Sequence, residues 1–208
     1  MFIVFEGLDF ARKSTLASKL RDYIILKTDK TVQIFAETYH TESGKKFLES
    51  AGKISSYESL ELLYKARSEC LRKADEYDII IFDRYYYSSV VYQLPKCINE
   101  PEYQKSIKLL MQMFLRFRKP DIVFFLKYDY DNYVKRVSIR NKDIHEFDKM
   151  SKEEFDLRQS LYLASIISSV EPISNHGSIP RVFVIDTNKS IDDCFKVIKD
   201  IADEYIID

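Results

Sequence analysis

Cysteine, glycine and proline are scarce in this chain of 208 residues, which has three cysteines, four glycines, five prolines and no tryptophan. The cysteines, Cys70, Cys97 and Cys194, are far apart and odd in number, so they have neither the spacing of a metal site nor the pairing of a disulfide framework. We interpret them as buried or idle thiols in a reducing compartment. Because glycine is so rare, Gly7 is more informative than a glycine usually is.

The chain also lacks an excess of charge of either sign, since 32 Lys and Arg against 33 Asp and Glu give a net charge of −1. No global basic field points to nucleic acid or to an anionic membrane surface, so any phosphate binding must come from locally placed Arg, Lys and backbone N–H groups. The N-terminal apolar run, residues 1–5, is too short for a signal peptide or a membrane span. We therefore expect a cytoplasmic protein that binds neither nucleic acid nor membrane.

Short apolar runs alternate with longer helical patterns along the whole chain, and no linker rich in Pro, Gly or Ser divides it. Continuous apolar runs are typical of strands buried on both faces of a parallel sheet. We predict one domain, residues 1–208, with an α/β fold: a doubly wound five-stranded parallel sheet flanked by helices. The predicted strands are 2–5, 32–35, 79–82, 122–126 and 182–185. Ligands of such sheets gather at the carboxyl ends of the strands, and functional residues are therefore expected after positions 6, 37, 83 and 127.

Three helix starts have local signals. Ser151 opens a capping-box pattern and predicts a helix from about Glu153, and Ser190 opens a similar start near the C-terminus. Pro101 and Glu102 suit the first turn of a helix.

The segment after the first predicted strand carries a phosphate-loop pattern. The pattern requires Gly, any four residues, Gly, Lys, and then Ser or Thr. The chain reads Gly7-Leu8-Asp9-Phe10-Ala11-Arg12-Lys13-Ser14-Thr15 at this place. Backbone N–H groups of such a loop and the helix that follows face anionic phosphates. Lys13, expected at an exposed helix start, would reach the β- and γ-phosphates of ATP, and the Ser14 hydroxyl would bind Mg²⁺. The pattern thus predicts ATP and Mg²⁺ as cofactors and a fold of the P-loop NTPase type; the alternative is a strand-to-helix turn with an ordinary exposed lysine.

Arg12 is the one departure from the phosphate-loop pattern, because it stands where the second glycine is required. Its side chain either crowds the loop and turns N–H groups away from the phosphates, or is accommodated with the guanidinium turned toward the phosphates or toward water. We expect a loop that binds ATP less tightly than one with glycine.

Further motifs match one known family. The third strand ends in Asp83-Arg84-Tyr85, and the chain continues to Tyr92-Gln93. Residues 35–37 and 41–45 form the segment at the end of the second strand, and residues 62–67 read Leu-Leu-Tyr-Lys-Ala-Arg. Together with the phosphate loop they resemble thymidylate kinases, over residues 2 to about 187, and the segment 83–93 is the most specific piece. The resemblance implies transfer of the γ-phosphoryl group of ATP to a deoxynucleoside monophosphate, with dTMP favoured, and commonly a homodimer.

For the phosphate chemistry, the resemblance implies that Asp9 holds the acceptor sugar and aligns its phosphate, which Arg84 grips. Asp83 would assist Mg²⁺ through water. Arg136 and Arg140 would flank a mobile lid at about 140–150. Such roles are physically reasonable, because phosphoryl transfer is catalysed mainly by positioning and by neutralising charge.

For the acceptor itself, the resemblance implies that Arg67 contacts the pyrimidine with Tyr64 near it, and that Tyr92 and Gln93 line the pocket. Arg67 also has an ordinary structural interpretation as a solvated helix residue. Arg136 could likewise belong to a solvated basic helix face, and Asp83 with Arg84 could form a surface ion pair.

Two alternatives to a dTMP kinase stay open: a kinase for another nucleoside or nucleotide acceptor, and a catalytically weak nucleotide-binding paralogue. They rest on Arg12 and on Thr38, which stands where some relatives carry an arginine. The enzyme is favoured because the chain keeps a complete set of site residues: Asp9, Lys13, Ser14, Asp83 and Arg84.

Overall fold

The computed structural model describes residues 1–139, 149–170 and 179–207. Its strands are β1 (Phe2–Glu6), β2 (Val32–Phe35), β3 (Ile79–Asp83), β4 (Ile122–Lys127) and β5 (Arg181–Asp186). They form one parallel five-stranded sheet in the order β2-β3-β1-β4-β5. The predicted α/β fold and each predicted strand are confirmed, with strand ends differing by at most one residue.

The α-helices of the described ranges are α1 (Lys13–Lys27), α2 (Glu37–His40), α3 (Glu42–Ser50), α4 (Ser56–Lys73), α5 (Tyr86–Cys97), α6 (Tyr103–Arg116), α7 (Tyr130–Ile139), α8 (Lys152–Val170) and α9 (Ile191–Ala202). Two groups of helices pack around the sheet: α1 contacts α9, while α5 contacts α4, α6 and α8. None of these helices is both long and apolar enough to cross a membrane.

The strand pattern follows from the apolar runs. Every residue of β1 is buried, as are the first four residues of β3 and the first five of β4, because these strands are central in the sheet and are covered on both faces. The edge strand β5 differs, since Val184 is exposed while its neighbour Ile185 is buried.

Helix starts agree with the capping signals in two of three cases. The Ser190 hydroxyl accepts a hydrogen bond from the backbone N–H of Asp193 at 3.1 Å, and the Ser151 hydroxyl accepts one from the N–H of Glu154 at 3.2 Å. The prediction for Pro101 and Glu102 is wrong by one or two residues. Helix α6 begins at Tyr103, because Glu102 is its cap, with a carbonyl that accepts the N–H of Ser106 at 2.9 Å.

The parallel register brings the carboxyl ends of the central strands to one edge. Phe5 lies beside Asp83, and Glu6 lies beside Phe125. The segments that follow β1, β3 and β4 therefore meet there, which is where the sequence predicts the functional residues.

Candidate functional site

The phosphate loop after β1 is built on unusual backbone angles. Gly7 has φ 145°, and a Cβ at this position would lie 2.5 Å from the carbonyl oxygen of Leu126 on the neighbouring strand. Phe10 and Arg12 have φ 66° and 68°, in the left-handed region. Helix α1 then begins at Lys13 with no side-chain cap on its first amides. Uncapped N–H groups at a helix start are suited to bind an anion such as phosphate.

Arg12 adopts the backbone conformation for which glycine is preferred, with φ 68° and ψ 23°. Its Nη1 donates a hydrogen bond to the carbonyl oxygen of Lys189 at 2.6 Å. The guanidinium is thus engaged by the loop that joins β5 to α9. The side chain ties the phosphate loop to this second loop.

Lys13 is only 7% exposed, so the expectation of an exposed lysine at the helix start is wrong. Its Nζ donates a hydrogen bond to the carbonyl oxygen of Leu8 at 2.8 Å, which folds the side chain back along the phosphate loop. Burial and the nearby positive charge of Arg84 lower the pKa of Lys13 to about 8. A phosphate placed in the loop would supply a negative partner for this ammonium group.

Ser14 and Asp83, the two predicted Mg²⁺ contacts, lie together: the Ser14 hydroxyl donates a hydrogen bond to the Asp83 carboxylate at 2.5 Å. Both groups offer hard oxygen atoms. Mg²⁺ prefers such oxygens and usually takes only one or two from the protein, with phosphate and water completing its shell. The donor set at the end of β3 therefore fits Mg²⁺.

Arg84, Asp9 and Tyr92 form a connected cluster next to the phosphate loop. Nη2 of Arg84 donates to Oδ1 of Asp9, and the Tyr92 hydroxyl donates to Oδ2 of Asp9 at 2.9 Å. Partial burial would raise the pKa of Asp9, but Arg84 and Lys13 outweigh it and lower that pKa to about 2. The side chains of Asp9 and Arg84 are 45% and 24% exposed, so both remain accessible to a ligand.

Tyr92 also contacts a second arginine. The guanidinium carbon of Arg84 lies 5.0 Å from the centre of the Tyr92 ring, and that of Arg158 lies 4.9 Å from it. Arg158 pairs with Glu154 at 2.5 Å.

Gln93, next to Tyr92 in the chain, is 7% exposed, and its side-chain oxygen has no hydrogen-bond partner within the described ranges. A buried amide oxygen of this kind favours a ligand that brings a donor.

Arg67 is fully buried on α4 and is held by a carboxylate. Its Nε and Nη2 donate to the two oxygens of Glu37 at 2.7 and 2.5 Å, and Nη2 also reaches the Ser89 hydroxyl at 3.3 Å. Burial raises the pKa of Glu37, and Arg67 opposes this effect. Tyr64, one turn away, packs against Phe117 with ring centres 4.8 Å apart and the rings tilted by 33°. The contact of Arg67 with a pyrimidine stays a prediction.

Arg136 on α7 joins three parts of the site. It donates to the carbonyl oxygen of Phe10 at 2.9 Å and to that of Thr187, and its guanidinium lies 4.7 Å from the Tyr128 ring centre. Arg136 and Arg12 thus both connect the phosphate loop to the loop after β5. The other predicted lid arginine, Arg140, lies outside the described residues, as does most of the predicted lid.

Several residues of the site were not predicted from the sequence. Glu6, at the end of β1, accepts hydrogen bonds from Tyr85 and Ser88, and Tyr128 donates from its hydroxyl to the carbonyl oxygen of Asp9. Glu37 is the partner of Arg67. The sequence does contain a signal for Glu6, because it is a charged residue that directly ends a fully apolar strand. Charged residues are rarely fully buried unless they have partners, so its position indicates a partnered carboxylate.

Known proteins resemble this chain over nearly its whole length. A family model for thymidylate kinase matches residues 5–198. The probable thymidylate kinase of Thermococcus kodakarensis is 30% identical over 199 residues, which cover 88% of this chain and 93% of that protein.

Two solved structures are also similar. The structure of a thymidylate kinase from Candida albicans has a TM-score of 0.73 at 22% identity and covers 99% of this chain and 92% of its own. A deoxyadenosine kinase from M. mycoides with bound dATP has a TM-score of 0.70 at 19% identity, covering 98% and 100%. At these identities the structural similarity establishes the shared fold alone.

Proposed function

The chain belongs to the thymidylate kinase family of enzymes, and from this premise we propose that it transfers the γ-phosphoryl group of ATP to a deoxynucleoside monophosphate, with dTMP as the favoured acceptor. The observation that carries the proposal is the Arg84–Asp9–Tyr92 cluster beside Lys13. The cluster supports the proposal because the Arg84 cation lies next to the phosphate loop, where a second phosphate would be bound. Transfer between two phosphates needs this arrangement, because the two anions repel one another and must be held together.

On the donor side, the uncapped start of α1 and the Lys13 ammonium bind the phosphates of ATP. Ser14 and Asp83 would hold Mg²⁺, which would neutralise charge on the phosphate oxygens. Lys13 now bonds to Leu8, and in the complex it exchanges this carbonyl for phosphate oxygens. Arg136 fixes the phosphate loop against the loop after β5.

On the acceptor side, Arg84 binds the monophosphate through its planar guanidinium, and Asp9 accepts a hydrogen bond from the sugar hydroxyl. Tyr92 and Gln93 line the pocket, and the side-chain oxygen of Gln93, which has no partner among the described residues, accepts a hydrogen bond from the base. Arg67 either contributes to the acceptor pocket through its ion pair with Glu37, or it leaves Glu37 and contacts the base. We further propose a homodimer, since α6 exposes the apolar side chains of Met111 and Leu115.

A second candidate acceptor is a nucleoside. It is favoured by one observation: Arg67 is neutralised by Glu37 at the end of β2, and Thr38 beside it brings no charge, so this strand end offers no free cation for an acceptor phosphate. The acceptor would then present a hydroxyl group in place of a phosphate.

A coupled assay of ADP release with ATP, Mg²⁺ and single acceptors tests the proposal. The panel contains dTMP, dCMP, dAMP, dGMP and the corresponding nucleosides. We expect the highest kcat/KM with dTMP. Turnover with nucleosides alone would establish the second candidate, and absence of turnover with every acceptor would leave a nucleotide-binding paralogue. Light scattering of the purified protein tests the dimer.

A further inference from the structure

Glu6 is a fully buried carboxylate directly behind the candidate acceptor site. Its side chain accepts three hydrogen bonds: from the backbone N–H of Tyr85 at 2.7 Å, from the N–H of Ser88 at 3.3 Å and from the Ser88 hydroxyl at 2.7 Å. All three donors lie just after Arg84 in the chain. Glu6 thus binds Tyr85, in the turn between β3 and α5, and Ser88, in the first turn of α5.

This turn is strained at Arg84. Its φ is 73°, in the left-handed region, which is unfavourable for a residue with a side chain. A conformation of this kind persists only when its surroundings fix it. The bond from Glu6 to the N–H of Tyr85 fixes the peptide that directly follows Arg84.

The same carboxylate also reaches the Arg84 side chain through one hydroxyl. The Ser88 hydroxyl, held by Glu6, lies 3.2 Å from Nη1 of Arg84 and 2.8 Å from the Tyr162 hydroxyl. Tyr162 in turn lies 2.9 Å from Nη1 of Arg84. Glu6 therefore holds both the backbone and the guanidinium of Arg84, while Nη2 faces Asp9.

We propose that Glu6 is a positioning residue that sets Arg84 for the acceptor phosphate. The inference rests on the proposed function, because it assumes that Arg84 binds the acceptor. Within the described residues, Glu6 is hydrogen-bonded to Tyr85 and Ser88 and reaches Arg84 through them. We therefore expect the KM for the acceptor to depend on an intact, ionised Glu6, whereas ATP binding does not depend on it.

Glu6 changes its protonation state near neutral pH. Burial raises the pKa of Glu6 to about 7, and the Ser88 hydroxyl and the charge of Arg84 oppose this rise. The charged or titratable groups around it are Arg84 after β3, Lys13 at the start of α1, Tyr87 on α5 and Tyr162 on α8. A protonated Glu6 loses one acceptor oxygen, so the hold on Ser88 weakens as the pH falls below about 7.

The test is Glu6→Gln, which keeps the size of the side chain and removes its charge. With the coupled assay we expect KM for dTMP to rise about tenfold, while KM for ATP stays within about twofold. In the wild type, kcat/KM for dTMP rises with pH through about 7, and in Glu6→Gln the part of this rise that comes from Glu6 is lost. The phosphate of dTMP itself titrates near pH 6, but it does so equally with both proteins, so the difference between the two profiles isolates Glu6.

Ser88→Ala is a second variant that keeps Glu6 and removes only the hydroxyl bridge to Arg84. It should raise KM for dTMP by about threefold to tenfold. Ser169→Ala is its matched control, because Ser169 also carries a buried hydroxyl bonded to a tyrosine, Tyr87, at 2.9 Å, but has no bond to Arg84. The control should keep the KM values of the wild type. Should Glu6→Gln fail to fold, this pair decides the question.

Each outcome has a distinct meaning. If the wild type is active and Glu6→Gln leaves both the KM for dTMP and the pH profile unchanged, the role of Glu6 is overturned and the proposed function is intact. If Glu6→Gln does not fold, an unchanged KM for dTMP in Ser88→Ala has the same meaning. A wild type that phosphorylates no monophosphate overturns the proposed function, and with it the role given to Arg84 and Glu6.

Discussion

Arg12 offers a test in which two substitutions separate backbone strain from side-chain bonding. Arg12→Ala and Arg12→Gly both remove the hydrogen bond to the Lys189 carbonyl, but only glycine adopts φ 68° without steric cost. The left-handed conformation costs a residue with a Cβ about 1–2 kcal/mol. Glycine also lowers the free energy of unfolding by about 0.4–1 kcal/mol, because it gives the unfolded chain more conformational freedom.

The expected difference is therefore about 1 kcal/mol in the free energy of unfolding, with Arg12→Gly the more stable variant. In a protein of this size it corresponds to about 2–4 °C in Tm. The comparison of wild type with Arg12→Ala isolates the bond to Lys189, which is exposed and worth about 1 kcal/mol.

Urea unfolding followed by circular dichroism measures all three proteins, and ATP affinity is measured on the same samples by calorimetry. We expect Arg12→Gly to bind ATP at least as tightly as Arg12→Ala, because its loop keeps the left-handed turn. If Arg12→Ala proves as stable as Arg12→Gly, the argument from backbone strain is wrong. If ATP binding is lost equally in both variants, Arg12 is itself a phosphate ligand.

Three further substitutions test the remaining parts of the site. Lys13→Met, which keeps the buried volume of the side chain, should lower kcat about a hundredfold or more with an unchanged circular dichroism spectrum; a normal kcat would contradict the phosphate-loop assignment. Arg84→Ala should lower kcat/KM for dTMP about tenfold to several hundredfold, whereas Arg72→Ala, on an exposed part of α4, should have no effect. Because the pKa of Glu6 is raised from 4.5 to about 7, its contribution to stability is fully present below pH 4.5 and is lost as the pH rises through 7. Urea unfolding should therefore show the wild type losing at most about 3 kcal/mol relative to Glu6→Gln between pH 4.5 and 8, and parallel pH curves would contradict this.

The three central strands were predictable because their apolar runs are continuous and short. Residues 2–5, 79–82 and 122–126 have no polar interruption, which is typical of strands covered on both faces of a sheet. The start of α6 was less predictable, since a proline followed by an acidic residue is equally compatible with a preceding turn, which is what Pro101 and Glu102 form.

The site was only partly predictable because partners depend on three-dimensional neighbours. The Ser14–Asp83 contact follows from a motif and from the order of the strands. The pairing of Arg67 with Glu37 joins residues 30 positions apart and depends on how α4 packs beside the end of β2. Likewise, no local pattern shows that Arg12 reaches Lys189, because that loop is 177 residues away along the chain.

In the proposed function, the Arg84–Asp9 cluster binds the phosphate of an acceptor nucleotide. Calorimetric titration of the wild type and of Arg84→Ala with dTMP and with thymidine tests this assignment. We predict that the wild type binds dTMP at least about tenfold more tightly than thymidine, and that Arg84→Ala loses this preference, because a charge-assisted phosphate contact contributes about 1.5–3 kcal/mol. Equal or tighter binding of thymidine by the wild type, or a preference for dTMP that survives in Arg84→Ala, would contradict the claim.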